Sequence, residues 1–473
     1  ETVTDALGQE EHYKYSPKGE LLQKIDKEGY LTKYSYTKQG DISRIRYADG
    51  REVELSYNPM RHLTEIADWL GVTRIMNDAL GRAERVTYPD GKEVGYTYGK
   101  AGERRSLTYP DGRTVSYGYD EEIRLSELKE GDAVIRYGYD GKGRLAEKIF
   151  PNGMKSSYHY NDWGKLKELI HVDKEGILDR YSYGYDLAGN KVEIMKGRRG
   201  LPEENGNYRY GYDPLGRLSE VSRNGELLRR YRYDAFGNQI SLREGTKTTE
   251  YTYNVLNQLI EENTGEGLRR IYRYDKRGNL SEVKENGETV NQYLYGALNR
   301  LEQSANGMGK GARYEYNGLG NRVGKKEGCL LGARCLEEKL DPVRQIQEQE
   351  IHVLREIEYT TDLTREYHNL LQREEGKSRQ VYFWDGNAAF YEEGGNKNFY
   401  LQDELGSPIR SIDVEGNLTE TYGYDEFGNG IYSVRSDIQP FGYTGYQYDG
   451  IAGTYYAQAR EYLPETGRFT GED

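Results

Sequence analysis

Hydrophobic and polar positions alternate along this chain in short bursts, and the bursts repeat. In "YGYDPLGRLSEVSRNGELLRRYRYDAFGNQISL", Tyr210 to Leu242, one phrase occurs twice: aromatic, any residue, Tyr-Asp, two residues, Gly, then a brief strand-like run. Tyr-x-Tyr sets two rings on one face of a strand, because side chains alternate with period two. Asp-x-x-Gly supplies a turn, in which Asp bonds its own backbone and Gly tolerates positive φ. A second strand such as "RLSEV" follows, and a return turn such as "RNGEL" sends the chain back. Each phrase therefore predicts a β-hairpin. Helical spacing is absent, and the frequent Gly residues would break a helix.

Anchored on its second aromatic, the phrase falls at Tyr15, Tyr36, Tyr57, Met76 (in "MNDALGRA"), Tyr98, Tyr119, Tyr139 and Tyr160. It continues at Tyr185, Tyr212, Tyr233, Tyr253, Tyr274, Tyr295 and Tyr316. Most steps are 20 or 21 residues; steps of 25 and 27 flank Tyr185 and contain polar segments such as "KGRRGLPEENGN", expected on exposed turns.

A lone hairpin is only marginally stable, so neighbours must pair edge to edge. The repeats give about thirty strands, and at ~4.8 Å each the sheet, with its C-terminal strands, would be roughly 150–170 Å wide. Strands twist and long edges invite aggregation, so such a sheet should curl into a closed or spiral wall. Its diameter would be roughly 50 Å and its lumen roughly 40 Å, enough for a guest domain of about 120 residues, roughly 35 Å across. The expected fold class is all-β, with hairpins in a continuous spiral sheet forming a hollow cocoon.

The repeat breaks down between Gly324 and Phe399. In "CLEEKLDPVRQIQEQEIHVLREIEYTT", Ile346, Ile351 and Leu354 sit at partly helical spacing, which reads as a short helix or an irregular excursion. "TREYHNLLQREE" and "RQVYFWDGN" read as resumed strands. The chain accordingly divides into a repeat shell over 1–323, an irregular segment with continuing shell strands over 324–399, and a distinct region over 400–473.

Composition changes this picture little. Only 35% of residues are hydrophobic and 31% are charged, a balance that usually means disorder. The 47 Tyr argue otherwise, since each buries a large ring with a polar tip. The chain reads as folded but unusually polar, with little conventional core. Its net charge of −13 is mixed along the length, without the basic stripe of a nucleic-acid-binding surface. No apolar run reaches the length of a membrane span. "ETVTDALGQE" has neither the basic start nor the apolar stretch of a signal peptide, and an internal fragment of a longer protein is expected. For Cys329 and Cys335, a local disulfide and two free thiols remain equal alternatives.

"YDPLGRL", "YDAFGNQ", "YDKRGNL" and "YNGLGNR" resemble the Tyr-Asp (YD) repeats of the Rhs family, which includes bacterial polymorphic toxins, toxin-complex C components and, distantly, teneurins. "YLQDELGSPIRSIDVEGNLTETYGYDEFGN" resembles the run that enters that family's core region, and "FGYTGYQYDGIAGTYYAQAREYLPETGRFTGED" its most specific signature. The resemblance covers essentially the whole chain. It implies a shell whose C-terminal core region turns inward as a plug, and a toxin domain encoded downstream and held in the lumen as partner. It also implies a bacterial protein that is secreted, cell-surface or delivered to a target cell, with upstream capping or delivery domains on the same polypeptide.

The resemblance further implies an aspartyl-type self-cleavage, with Arg460 of "AREYLPETGRF" as the family's Arg and Asp473 as its first Asp, thirteen residues on. The second Asp and the scissile bond would lie downstream, leaving this chain catalytically incomplete. Leu463 stands where the family commonly has Asp, a position read here as a turn residue because Pro464-Glu465-Thr466-Gly467 still supplies turn chemistry. Blander roles are a buried ion pair for Arg460 and a terminal turn for Asp473.

No cofactor or metal is expected: His12, His62, His159, His171, His352 and His368 are scattered, without paired ligand spacing. "SYTK" lies within a repeat strand, "GMGKG" lacks the ending of a phosphate loop, and the Asp-x-x-Gly turns lack a calcium loop's carboxylate ladder. Two other function classes remain. A cell-surface adhesion or carbohydrate-binding shell would use the Tyr rows as a binding face, although cross-strand packing of aromatic pairs is the preferred account of them. An autoprotease would end its function with release.

Overall fold

The computed structural model describes residues 1–265, 267–330, 351–367, 369–432 and 439–471. Among them, every described strand pairing is antiparallel. A 38-stranded sheet takes most of the chain, and a 4-stranded sheet gathers Gln447–Asp449, Thr454–Ala457, Arg460–Leu463 and Arg468–Phe469. The fold is all-β, as the hairpin period predicts. Contacts group the chain into two compact units. One comprises Glu1–Val115, Tyr272–Gly395 and Gly423–Asp473, the other Ser116–Ile271 and Asn396–Tyr422.

The second unit shows how one repeat is built. Strand Leu218–Arg223 pairs with Glu226–Tyr233, which pairs with Gln239–Glu244. A bulge between Arg232 and Tyr233 shifts the register just before the Tyr-Asp turn. There the Asp234 carboxylate accepts the N–H groups of Phe236 and Asn238, each at 2.9 Å, while Gly237 takes φ 90°. The Tyr233 hydroxyl meanwhile reaches back and donates to the Leu218 carbonyl at 2.8 Å. Arg217, paired to Asp213 at 2.6 Å, lies over the Tyr233 ring with its guanidinium 4.7 Å from the centroid. Every residue type in the phrase Tyr-Asp-x-x-Gly-Arg thus has a defined local task.

The same hydroxyl-to-carbonyl bond recurs at 2.7–2.9 Å. Tyr57 donates to Ile42, Tyr98 to Ala83, Tyr160 to Leu145 and Tyr212 to Lys191. One anchor must be corrected. In "RIMNDALGR" the place of Tyr is taken by Asn77, not Met76: strand Gly71–Asn77 ends on Asn77, whose Nδ2 donates to the Leu63 carbonyl at 2.8 Å. An amide replaces the phenol because both can supply the required N–H or O–H.

Two further readings are corrected. Ile351 and Leu354 lie in strand Ile351–Thr361, paired with Arg322–Leu330, so helical spacing there is incidental; Ile346 lies outside the described residues. A conventional core also exists. Val381, Tyr382, Phe383 and Trp384 are consecutive in strand Ser378–Trp384 and at most 2% exposed, so both faces of that strand are covered. Tyr109 donates to the Tyr382 carbonyl at 2.7 Å, and Phe441 meets Trp384 edge-on at 5.2 Å.

Replacing Tyr233 by Phe removes only the hydroxyl. We expect a loss of about 1 kcal/mol, the net worth of one such bond with its acceptor left short of a partner, measured as a shift in chemical denaturation midpoint. An unchanged midpoint would show that the bond to Leu218 is not stabilising.

Candidate functional site

Arg460 opens a strand of the small sheet, with its backbone opposite Ala457. Its half-buried guanidinium stacks on the Phe469 ring, 3.8 Å from the centroid, so the Arg expected to take part in cleavage does lie against the chain's last described residues. Asp473 lies outside the described residues, as does Cys335, so neither the Arg460–Asp473 pairing nor the Cys329–Cys335 question is answered by the described geometry. Leu463 is 8% exposed and closes its strand, and a turn follows in which Gly467 N–H donates to the Pro464 carbonyl at 3.1 Å with φ 64°. The turn persists without an Asp at Leu463.

Beside Arg460, sequence reading missed a buried charge cluster. Glu461 is 3% exposed and accepts from Arg322 Nη2 at 2.5 Å and from the Thr454 hydroxyl at 2.8 Å. Asp449, equally buried, pairs with Lys325 at 2.9 Å and accepts the N–H groups of Ile451 and Ala452. The Arg322 guanidinium lies over the rings of Tyr456 and Tyr314, 3.9 and 4.2 Å from their centroids. Burial pushes the Asp449 carboxyl up, but Lys325 and Arg322 outweigh it and hold it at about 2. Burial raises Glu461, and the Asp449 charge adds to the rise against the pull of Arg322. One carboxyl firmly ionised beside another biased toward its proton is an acid–base asymmetry. Here both are engaged by cations, and the arrangement ties the 439–471 segment to strand Arg322–Leu330. Thr470 completes the tie: its Oγ1 meets the Tyr295 hydroxyl at 2.7 Å and its carbonyl accepts Leu280 N–H at 2.6 Å.

A sequence signal for this cluster existed. The residue just after each Tyr-Asp turn is usually apolar, as at Leu218, Leu280 and Leu301. Arg104, Lys191 and Arg322 occupy that place instead, and each meets a carboxylate distant in sequence: Asp362 at 2.7 Å, Glu404, and Glu461.

The second unit holds its own buried network, which takes in two residues of "KGRRGLPEENGN". Arg198 from this insertion is 2% exposed and donates to Asp179, to Glu204 at 2.6 Å and to the carbonyls of Ile409 and Tyr422. The turn itself, at Arg199, Gly200, Pro202 and Glu203, is exposed as expected, while Arg198 and Glu204 point inward beside strand Pro408–Asp413, whose Arg410 also pairs with Asp179 at 2.7 Å. His171, across the ladder from Asp179, accepts from the Ser156 hydroxyl at 2.8 Å and donates Nε2–H to the Gln402 carbonyl at 3.1 Å. Burial pushes this imidazole down to about 4, against the pull of Asp179. Among the described residues, no group of three or more His, Cys, Asp and Glu is placed to hold a metal ion, and no helix is long and apolar enough to cross a membrane.

Residues 1–188 and 180–330 match the family model described as Teneurin YD-shell, well over half of the chain. The chain belongs to this YD-shell family. Among curated relatives, the YD shell is 36% identical over 96 residues to the tRNA3(Ser)-specific nuclease WapA of Bacillus spizizenii, covering 20% of this chain and 4% of that protein. It is 23% identical over 227 residues to double-stranded DNA deaminase toxin A of Burkholderia cenocepacia, covering 46% of this chain and 14% of that one. The chain thus spans a small part of the length of these relatives. In the crystal structure of TcdB2-TccC3-Cdc42, a chain aligns over 98% of the YD shell and 33% of its own length, at 15% identity and a TM-score of 0.40.

Arg322→Leu would leave Glu461 buried without its cation and Asp449 with Lys325 alone. We expect a cost of about 3–5 kcal/mol, partly recovered in the Arg322→Leu/Glu461→Leu double variant; denaturation of the three proteins decides. For His171 the sign follows from its depressed value. Above about pH 6.5 both states are neutral, whereas on acidification the unfolded imidazole binds a proton that the native one refuses until about 4. Stability should therefore fall by about 3 kcal/mol across that window, and His171→Gln should remove this part of the pH dependence.

Proposed function

We propose that this YD shell encloses a toxin domain encoded C-terminal to Asp473 and keeps it sequestered until delivery. The observation that best supports this reading is the burial of Thr470, next to last of the described residues. Thr470 is 3% exposed and bonded on both sides, so any following residues set out from within the unit instead of from a free tail. The toxin names of the curated relatives agree with it. On this reading residues 1–323 are wall, 324–399 continue it, and 400–473 form the plug, anchored by Arg322 and Lys325. Export or delivery to a target cell follows from the same proposal, with other domains of the polypeptide as capping and delivery partners.

Self-cleavage is the second part of the proposal. Asp473 and a carboxyl group from the downstream region would act as an aspartyl pair. One takes a proton from water as the oxygen attacks the scissile carbonyl, and the protonated partner donates to the carbonyl oxygen. Collapse then breaks the C–N bond and returns a proton to the departing amine. Arg460, already beside Phe469, would hold one carboxylate ionised or support the oxyanion. The described tyrosines offer less to the adhesion reading, because the repeat hydroxyls are spent on backbone carbonyls.

The test is the chain extended by its natural downstream region, with Arg460→Met, Asp473→Asn and Glu461→Gln beside it. A C-terminal fragment should appear on denaturing gels in the parent and Glu461→Gln proteins, vanish in the other two, and co-elute with the shell until denatured. Cleavage that survives both Arg460→Met and Asp473→Asn would remove the assigned pair. A fragment that elutes free would remove enclosure.

A further inference from the structure

Each repeat has a Tyr-Asp turn at one end and a return turn at the other. Within the first unit, later Tyr-Asp turns sit on earlier return turns, one for one. Gly318, in the turn after Tyr316, donates its N–H to Asp68 at 2.6 Å, while Trp69 Nε1 donates to the Tyr316 carbonyl at 2.9 Å. A Cβ on Gly318 would lie 2.8 Å from Val53 Cγ2, so the fit is close. Two repeats earlier, Arg277 lies over the Tyr30 ring at 4.8 Å and Lys276 N–H meets Glu28 at 2.6 Å. One repeat beyond the Tyr316 turn, the hydroxyl of Tyr88, which opens a return turn, donates to the Thr361 carbonyl just before the Asp362 turn. Seating lowers the exposure of the tip residues: Arg277 and Ala297 are each 8% exposed and Leu319 is 43% exposed.

The Tyr-Asp turns of the second unit look different. Five consecutive ones each carry a large apolar residue in the open: Trp163 at 75%, Leu187 at 99%, Leu215 at 73%, Phe236 at 83% and Val255 at 67% exposure. Strand pairing is continuous from Lys155–Tyr160 to Leu259–Thr264, so these turns all leave the same end of one ladder. At two strands per turn they form a row with a spacing of ~10 Å, about 40 Å long. Single exposed apolar residues are ordinary, but a contiguous row of this kind marks an interaction surface.

We propose that this row is the seat for a further row of YD-repeat hairpins, presented by their return turns and carried N-terminal to Glu1 in the natural polypeptide. The first unit supplies the pattern: Tyr-Asp turns of a later row take the return turns of an earlier one, so the Tyr-Asp turns of the earlier row face the row before it. A return-turn edge has the same two-strand repeat, and offers carboxylates and ring faces for backbone N–H groups and tip side chains, as Asp68, Glu28 and Tyr30 do. This inference is independent of the guest and of cleavage.

Hydroxyl-radical footprinting of the natural full-length polypeptide and of the 473-residue chain tests it. Trp163 and Phe236 should be labelled about fivefold more slowly in the full polypeptide, while Met308, 66% exposed in a return turn, keeps its rate. Equal rates at Trp163 and Phe236 in both proteins would overturn the proposal. Protection that appears in the 473-residue chain only as its concentration rises, with a matching dimer by light scattering, would also overturn it, since the occupant would then be a second copy.

Discussion

The structure depends on one recurring bond, made in most repeats from the tyrosine hydroxyl to the first carbonyl of the strand before it. A sheet built from identical hairpins has no intrinsic reason to keep neighbouring hairpins in register once their ladder ends. Tyr36 shows the solution. The ladder between Leu21–Ile25 and Leu31–Tyr36 stops at the Gln23–Lys33 pair, and the Tyr36 hydroxyl then closes the open end at the Leu21 carbonyl, 2.8 Å away. Each such bond is worth only about 1 kcal/mol net. Repetition makes it structural, and the bulge before each tyrosine fixes where it falls. Asn77 shows that the donor and its reach are selected, not the aromatic ring.

This division of labour lets a chain with 35% hydrophobic residues fold. Along the early repeats one face carries single buried residues such as Val53, Val86 and Val94, and the other is polar and paired by cross-strand charges such as Arg44–Glu52. Those surface pairs add little individually. Denser apolar packing is confined to later strands, where Phe383 and Phe390 stack 4.3 Å apart and Phe399 is fully buried beside Phe150. Burial is thus graded along the sequence.

What could be read from the sequence was whatever is local. Turn chemistry and period-two alternation act within about ten residues, so strands and turns were legible nearly residue by residue. Counting aromatics misplaced the fourth anchor by one, because the requirement is a donor at Asn77 and not a ring. The insertion after Lys196 was misread in part, for another reason. Its polarity is real, yet Arg198 is buried with Glu204 and Asp179 and also donates to the carbonyls of Ile409 and Tyr422, and those partners, more than two hundred residues on, leave no local trace. Glu461 was hidden the same way, although Arg322 in a place that is usually apolar pointed toward it. Arg460 was located through family likeness alone.

The charged residues in that place address a problem that periodicity itself creates. A row of equivalent hairpins can seat on another in several registers, one repeat apart, with nearly the same apolar contact. Leucine at every post-turn position would not tell these registers apart. Arg104, Lys191 and Arg322 do, because each meets carboxylates at its own height: Asp362 for Arg104, Glu404 for Lys191, and Glu461 with Asp449 for Arg322. A slip by one repeat would leave the buried Arg322 against apolar or uncharged neighbours, a mismatch of several kcal/mol, and would cost less at Arg104 and Lys191, which are partly exposed. Buried ion pairs are poor sources of net stability, and here that is not what they supply. They make one seating of a repetitive sheet distinguishable from its neighbours, and Arg322 does so where the chain's last strands are attached.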